Sequence, residues 1–130
     1  AKVSRRKAVV LTDHELRLME VLWRNGQGTV AEVVEALEPP PLTYSTVLTT
    51  LRTLEQKGHL THDEAGRAFV YRPAIRRTDA AKSAVRHVLD RFFGSSPGAL
   101  AVTLLDGEQL SEDELAEIKR LLARKRKERT

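Results

Sequence analysis

Residues 43–73 read TYSTVLTTLRTLEQKGHLTHDEAGRAFVYRP, and the fold turns on how this stretch is read. In its first half Tyr44, Val47, Leu48, Leu51 and Leu54 recur at helical spacing, which predicts a core-facing stripe on a helix running to about Lys57. Thr43 is the expected cap and Gly58 the left-handed stop. The hydrophobic period then shortens to strand spacing. Segments 59–64 and 67–72 read as two strands around Ala65-Gly66, and Pro73 ends the hairpin.

Two shorter signals precede this stretch. Thr12-Asp13-His14-Glu15 is a capping box, followed by Leu16, Met19, Leu22 and Trp23 at helical spacing until Asn25-Gly26. Thr29-Val30-Ala31-Glu32 repeats the box and opens a shorter helix through Leu37, which Pro39-Pro40-Pro41 cannot continue. Three helices and a hairpin in this order predict a winged helix-turn-helix. Downstream, Thr78-Asp79 opens a helix carrying Ala81, Val85, Val88, Leu89, Phe92 and Phe93, closed by Gly94. Ser96-Pro97 starts a short apolar helix with Leu100, Ala101, Leu104 and Leu105, and Ser111-Glu112-Asp113-Glu114 caps a last helix with Leu115, Ile118, Leu121 and Leu122. The predicted class is mainly α with a small β-hairpin: a winged helix-turn-helix over residues 1–75 and a helical dimerisation region over 76–130.

Three helices this short cannot bury all their stripes among themselves. The alternatives are closure against a second copy, as a homodimer, and packing onto the N-terminal module. The first predicts an interface built from Val85, Val88, Leu89, Phe92, Leu100, Leu104, Leu115, Ile118 and Leu122.

The 130 residues carry a net charge of +4 and no cysteine. The sequence pI is about 9.7, which leans toward a polyanionic partner. Lack of cysteine excludes a disulfide scaffold, a thiolate metal site and a cysteine nucleophile, and suits a reducing cytoplasm. Apolar runs are far shorter than the roughly 20 residues that cross a bilayer. The basic start, followed only by Ala8-Val9-Val10-Leu11, does not read as a secretory leader. A cytoplasmic protein without membrane contact is expected.

The side of the third helix opposite its stripe holds Ser45, Thr46, Thr49 and Thr53, with Thr50 and Arg52 at the edges. Threonine is a poor helix former, so Thr46, Thr49, Thr50 and Thr53 together cost roughly 2 kcal/mol relative to better surface residues. A small, polar, nearly uncharged face suits the major groove. Short hydroxyls reach phosphates or base edges, the threonine methyl meets a thymine methyl, and Arg52 reaches a guanine or a phosphate. The plainer alternative is that the hydroxyls bond back to carbonyls one turn earlier. Arg67 on the hairpin and a basic arm with Arg5 and Arg6 are further candidate DNA contacts. Basic and acidic side chains nearly cancel over residues 1–75, so a winged helix that binds protein instead of DNA stays open.

Catalysis finds no support. The chain has no glycine-rich phosphate loop and no His-x-x-x-His pair. His59 and His62 are three apart on a predicted strand and so cannot share a metal, while His14 and His87 stand alone. No enzyme, cofactor or metal is expected.

The residues also resemble the penicillinase repressors of the BlaI/MecI type. The resemblance rests on Leu11-Thr12-Asp13-His14-Glu15-Leu16 through Leu22-Trp23, on Tyr44-Ser45-Thr46-Val47-Leu48-Thr49, and on Lys57-Gly58. Arg67-Ala68-Phe69-Val70-Tyr71-Arg72-Pro73 and Leu110-Ser111-Glu112-Asp113-Glu114-Leu115 extend it, so that it spans Leu11 to Leu122. It implies a homodimeric winged-helix repressor that binds a palindromic double-stranded operator, controls β-lactam-resistance or related genes, and is induced through a regulatory protease. By position, the cleavage region would be Thr103-Leu104, where the best-known members carry Asn-Phe. Relatives also usually have Arg where this chain has Thr53. A copper-responsive branch ends in a cysteine-rich hook that this sequence lacks.

Overall fold

A computed structural model describes residues 9–129. The basic arm with Arg5 and Arg6 lies outside the described residues. In chain order the elements are α1 (Asp13–Asn25), α2 (Val30–Ala36), α3 (Tyr44–Gln56), β1 (Leu60–Ala65), β2 (Ala68–Pro73), α4 (Arg77–Phe92), α5 (Pro97–Gly107) and α6 (Glu112–Arg129). This is a winged helix-turn-helix followed by three helices.

The helix starts follow from their caps. The Thr12 Oγ1 accepts from the Glu15 amide at 3.2 Å while the Thr12 amide donates to Glu15 Oε1 at 2.9 Å. Thr29 with Glu32 and Ser111 with Glu114 make the same reciprocal pair. Each box satisfies two amides that the first turn leaves without an intrahelical acceptor. At the other end of α3, Gly58 takes φ 87°, a conformation that costs a residue with a Cβ far more.

One core joins the first three helices and the hairpin. Leu18, Met19, Val21 and Leu22 of α1 meet Val30 and Val33 of α2, Val47, Leu51 and Leu54 of α3, and Leu60 and Tyr71 of the hairpin. Strand pairing is antiparallel, with His62 opposite Tyr71 and Ala65 opposite Ala68 across the Gly66-Arg67 turn. A third piece of backbone joins in: the Gly28 amide donates to the Tyr71 carbonyl at 3.0 Å and the Tyr71 amide to the Gly28 carbonyl at 2.8 Å. Gly28 is buried, and a Cβ there would sit 3.4 Å from both Leu22 and Val33 side chains, so a methyl would just reach contact and a longer side chain would meet them.

The molecule divides into two compact units between His87 and Val88, within α4. The start of α4 is tied to α1 inside the first unit. The Trp23 Nε1–H donates to the Ile75 carbonyl at 2.8 Å, Arg77 pairs with Glu20 at 3.2 Å, and the Val9 amide donates to Ser83 Oγ at 2.7 Å. In the second unit Ser96 caps α5 with Pro97 at its first position, as its sequence predicts. Neither α5 nor α6 buries a single residue. Among the described residues, no helix is long and apolar enough to cross a membrane.

Some expectations need correction. Tyr44, placed on the core stripe of the third helix, is 56% exposed, and Leu48 is only half-buried. The stripe is real, but the first turn of α3 extends past the edge of the core, which begins at Val47. Leu16 is likewise exposed, while Leu18 and Val21 complete the α1 face instead. His59 lies in the turn before β1 and not on the strand.

Candidate nucleic-acid interface

Helix α3 turns two polar flanks away from the core. Ser45, Thr49 and Arg52 are exposed, and Thr46, Thr50 and Thr53 are half-buried. The loop before it is fixed by Arg17, whose guanidinium donates to the carbonyls of Glu38 and Pro40. That clamp sets where α3 starts. Thr43 then caps it, its Oγ1 accepting from the Thr46 amide at 3.2 Å and donating to Thr46 Oγ1 at 3.0 Å. Ser45 Oγ stands 3.3 Å from the same oxygen.

Not every hydroxyl on this face is equally available. Thr50 and Thr53 donate back to the Thr46 and Thr49 carbonyls, at 2.7 and 3.0 Å. These two follow the plainer alternative: their protons are committed, and they offer outward a lone pair and a methyl. Among the described residues nothing bonds the Thr49 hydroxyl, which keeps donor and acceptor free at the centre of the face.

Packing and a hydrogen bond fix the angle of the hairpin against α3. His62 Nδ1 lies 2.6 Å from Glu55 Oε2 of α3, and the His62 ring stacks on Phe69 of β2, centroids 4.1 Å apart. Tyr71 meets both rings from the buried side, at 5.6 and 6.5 Å. Its phenol is pushed above the usual range by burial and by the Glu55 carboxylate, while the Arg52 guanidinium pulls the other way. Arg52 is thus close enough for its charge to be felt at the hairpin. Beneath α3, Lys57 reaches the buried Glu15 carboxylate at 2.8 Å. Burial there opposes ionisation, but the Lys57 ammonium and the Thr12 bonds outweigh it and hold Glu15 below its ordinary value. His59 is lowered as well, first by burial and then by the Lys57 charge.

The sequence-predicted residues therefore fall into separate groups. Ser45, Thr46, Thr49, Thr50 and Thr53 share one flank of α3, and Arg52 and Arg67 line a common groove between α3 and the hairpin. Arg72, within β2, is paired with Asp63 of β1. Of the residues expected at a dimer interface, Val85, Val88, Phe92, Leu104 and Leu122 are exposed, Leu100, Leu115 and Ile118 are half-buried, and Leu89 is already covered within the chain. Thr103 and Leu104 sit mid-way along α5, both exposed, with Thr103 Oγ1 donating to the Ala99 carbonyl. The Glu55–His62–Phe69 strut and the Gly28 bridge were missed by sequence reasoning. A histidine opposite an aromatic on a short hairpin was the one available hint of the strut. Among the described residues, no group of three or more His, Cys, Asp or Glu side chains could hold a metal ion.

Comparison with known proteins agrees with this geometry. A solution structure of the DNA-binding domain of the repressor BlaI matches with a TM-score of 0.51 at 34% identity, covering 58% of this chain and 93% of that domain. The penicillinase repressor of Bacillus licheniformis is 32% identical over 119 residues, which is 90% of this chain and 92% of that protein. The methicillin resistance regulatory protein MecI of Staphylococcus aureus strain N315 is 18% identical over 92% of this chain and 98% of its own length. The family model described as penicillinase repressor matches residues 11–124. With the winged helix, the caps and most of the tail inside that span, the chain belongs to the penicillinase repressor family.

Proposed function

We propose that this chain is a cytoplasmic, homodimeric transcriptional repressor that binds a palindromic DNA operator and controls β-lactam-resistance or related stress genes. The observation that carries the reading is the outward flank of α3, where Ser45 and Thr49 are exposed beside Arg52 and a wing bearing Arg67. Thr49 bonds base edges, Thr46, Thr50 and Thr53 add methyl and acceptor contacts, and residues 1–75, with Arg5 and Arg6 of the arm, form the DNA-binding part.

Residues 76–130 hold two copies together. Exposed Phe92, Val88, Leu104 and Leu122, with no buried residue in α5 or α6, are what a surface awaiting a second copy looks like. Two α3 helices about 34–36 Å apart would enter successive major grooves of a near-palindrome. Because both half-sites are engaged together, any event that parts the dimer weakens binding through lost effective concentration. Cleavage at Thr103-Leu104 by a regulatory protease would be one such event.

Titration against duplex DNA tests this. Affinity should fall by about 10³–10⁵ between about 50 and about 200 mM salt if 6–10 phosphates are contacted. A flat salt response, or no binding, would leave a winged helix that recognises a protein.

A further inference from the structure

We infer that the groove between α3 and the wing takes one sugar-phosphate strand of duplex DNA, with Arg52 gripping from the helix and Arg67 from the hairpin turn. Arg52 is then a backbone-holding residue and not a reader of guanine. The inference rests on the DNA reading above and deepens it.

The helix itself separates the two roles. Tyr44, Leu48 and Arg52 are spaced i, i+4, i+8, so they form one ridge. Thr46 with Thr50, and Thr49 with Thr53, form the neighbouring ridges. All of the first row and none of the threonines of α3 line the groove, which has a volume of about 300 Å³ and is closed on the far side by Arg67, Phe69 and Tyr71. A helix lying in the major groove and a wing reaching the adjacent minor groove stand on either side of a single backbone strand. Whatever lines the space between them faces phosphate and sugar, not base edges.

The chemistry of the lining fits that occupant. No carboxylate lines the groove among the described residues, and its two charged side chains are both arginines. Among the described residues neither arginine forms an ion pair, whereas nearby Arg72 and Lys57 are committed to Asp63 and Glu15. Tyr44 at 56% and Phe69 at 40% exposure give the walls an apolar surface that suits a deoxyribose edge between two bound phosphates. Guanidinium groups bond phosphate oxygens in a fork and hold this geometry.

The test uses the full chain with Arg52→Ala, Arg52→Lys and Arg67→Ala, a fixed mixed-sequence duplex of about 30 base pairs, and selection from a pool of randomised duplexes. Both alanine variants should weaken binding to all duplexes by a similar factor and reduce the slope of log affinity against log salt by about 1. Arg52→Lys should restore the slope, and the base preferences selected by Arg52→Ala should match those of the parent. Both positions are exposed, so melting temperatures should stay unchanged. An unaltered slope in Arg52→Ala, or relaxed preference at one base pair in both Arg52 variants, overturns the inference while leaving DNA binding intact. Failure of the parent chain to bind any duplex overturns the DNA reading and this inference together.

Discussion

The winged unit and the tail use similar amounts of helix to opposite ends. In the first, α1, α2 and α3 bury Leu18, Met19, Leu22, Val33, Val47, Leu51 and Leu54 to essentially zero exposure. In the second, α5 and α6 bury nothing, and Val102, Leu104 and Leu122 stay more than half exposed. Capping is equally good in both, since Ser111-Glu114 matches Thr12-Glu15 bond for bond. Good caps therefore say where a helix begins and nothing about whether one chain suffices to cover it. The winged unit closes its core within one chain, whereas α5 and α6 leave their apolar side chains uncovered.

The same substitution made in each region exposes the contrast most sharply. Leu51→Ala should cost about 2–5 kcal/mol in urea unfolding, because it opens a cavity among packed side chains. Leu122→Ala, at a site 58% exposed in the single chain, should change the stability of dilute protein by less than about 0.5 kcal/mol. Equal losses at low concentration would erase the distinction. Next in size is Phe92→Ala: removing a ring that is 75% exposed should raise the dimer dissociation constant about tenfold or more in sedimentation equilibrium. An unchanged equilibrium would return Phe92 to ordinary surface.

The acid response of the winged unit gives a smaller effect. Glu15 has its pKa lowered in the folded chain, so its contribution is complete above the ordinary 4.5 and is lost as pH falls through the folded value. His59 is also lowered, which favours its neutral form on folding; its contribution is complete above 6.5 and begins to fade below it. Glu15→Gln should destabilise by about 1 kcal/mol at neutral pH, since Lys57 is partly solvated, and the gap to the parent should close in acid. A gap that persists at pH 3 would mean the carboxylate charge was not what mattered. Smallest of all, Arg120→Ala breaks an exposed pair with Glu117 on α6 and should shift the melting curve by less than about 0.5 kcal/mol.

Much of this fold could be read from local signals. The capping boxes at Thr12, Thr29 and Ser111, the stop at Gly58 and the turn at Gly66 each concern a few neighbouring residues, and each appears in the structure. What could not be read depends on residues far apart in sequence. Glu15 was legible as a cap through one carboxylate oxygen, but its other oxygen meets Lys57, 42 residues on. The Gly28–Tyr71 bridge and the Trp23–Ile75 bond are of the same kind. Tyr44 went astray because helical phase tells which way a side chain points, not whether the core extends that far.

The candidate interface divides in the same way. A row of hydroxyls on the third helix is visible in composition alone. Which of them keep a free proton is decided by bonds one turn long, and sequence offers both outcomes for every threonine. The grouping of Arg52 with Arg67 depends on how the hairpin leans against α3, which is held by Glu55, His62 and Phe69. No local pattern encodes that angle.

The Gly28 bridge has one more implication. Two strands alone are marginal in water, so this hairpin owes its order to its root, where Tyr71 is sunk in the core and bonded to Gly28 on both backbone groups. Four to five residues further out, at Gly66-Arg67, no comparable fastening exists among the described residues. Such a finger is anchored at the knuckle and free at the nail. Under the proposed DNA reading, its guanidinium settles onto strands of differing curvature while the core around Tyr71 holds still, and amide exchange should run slow at Tyr71 and fast at the tip.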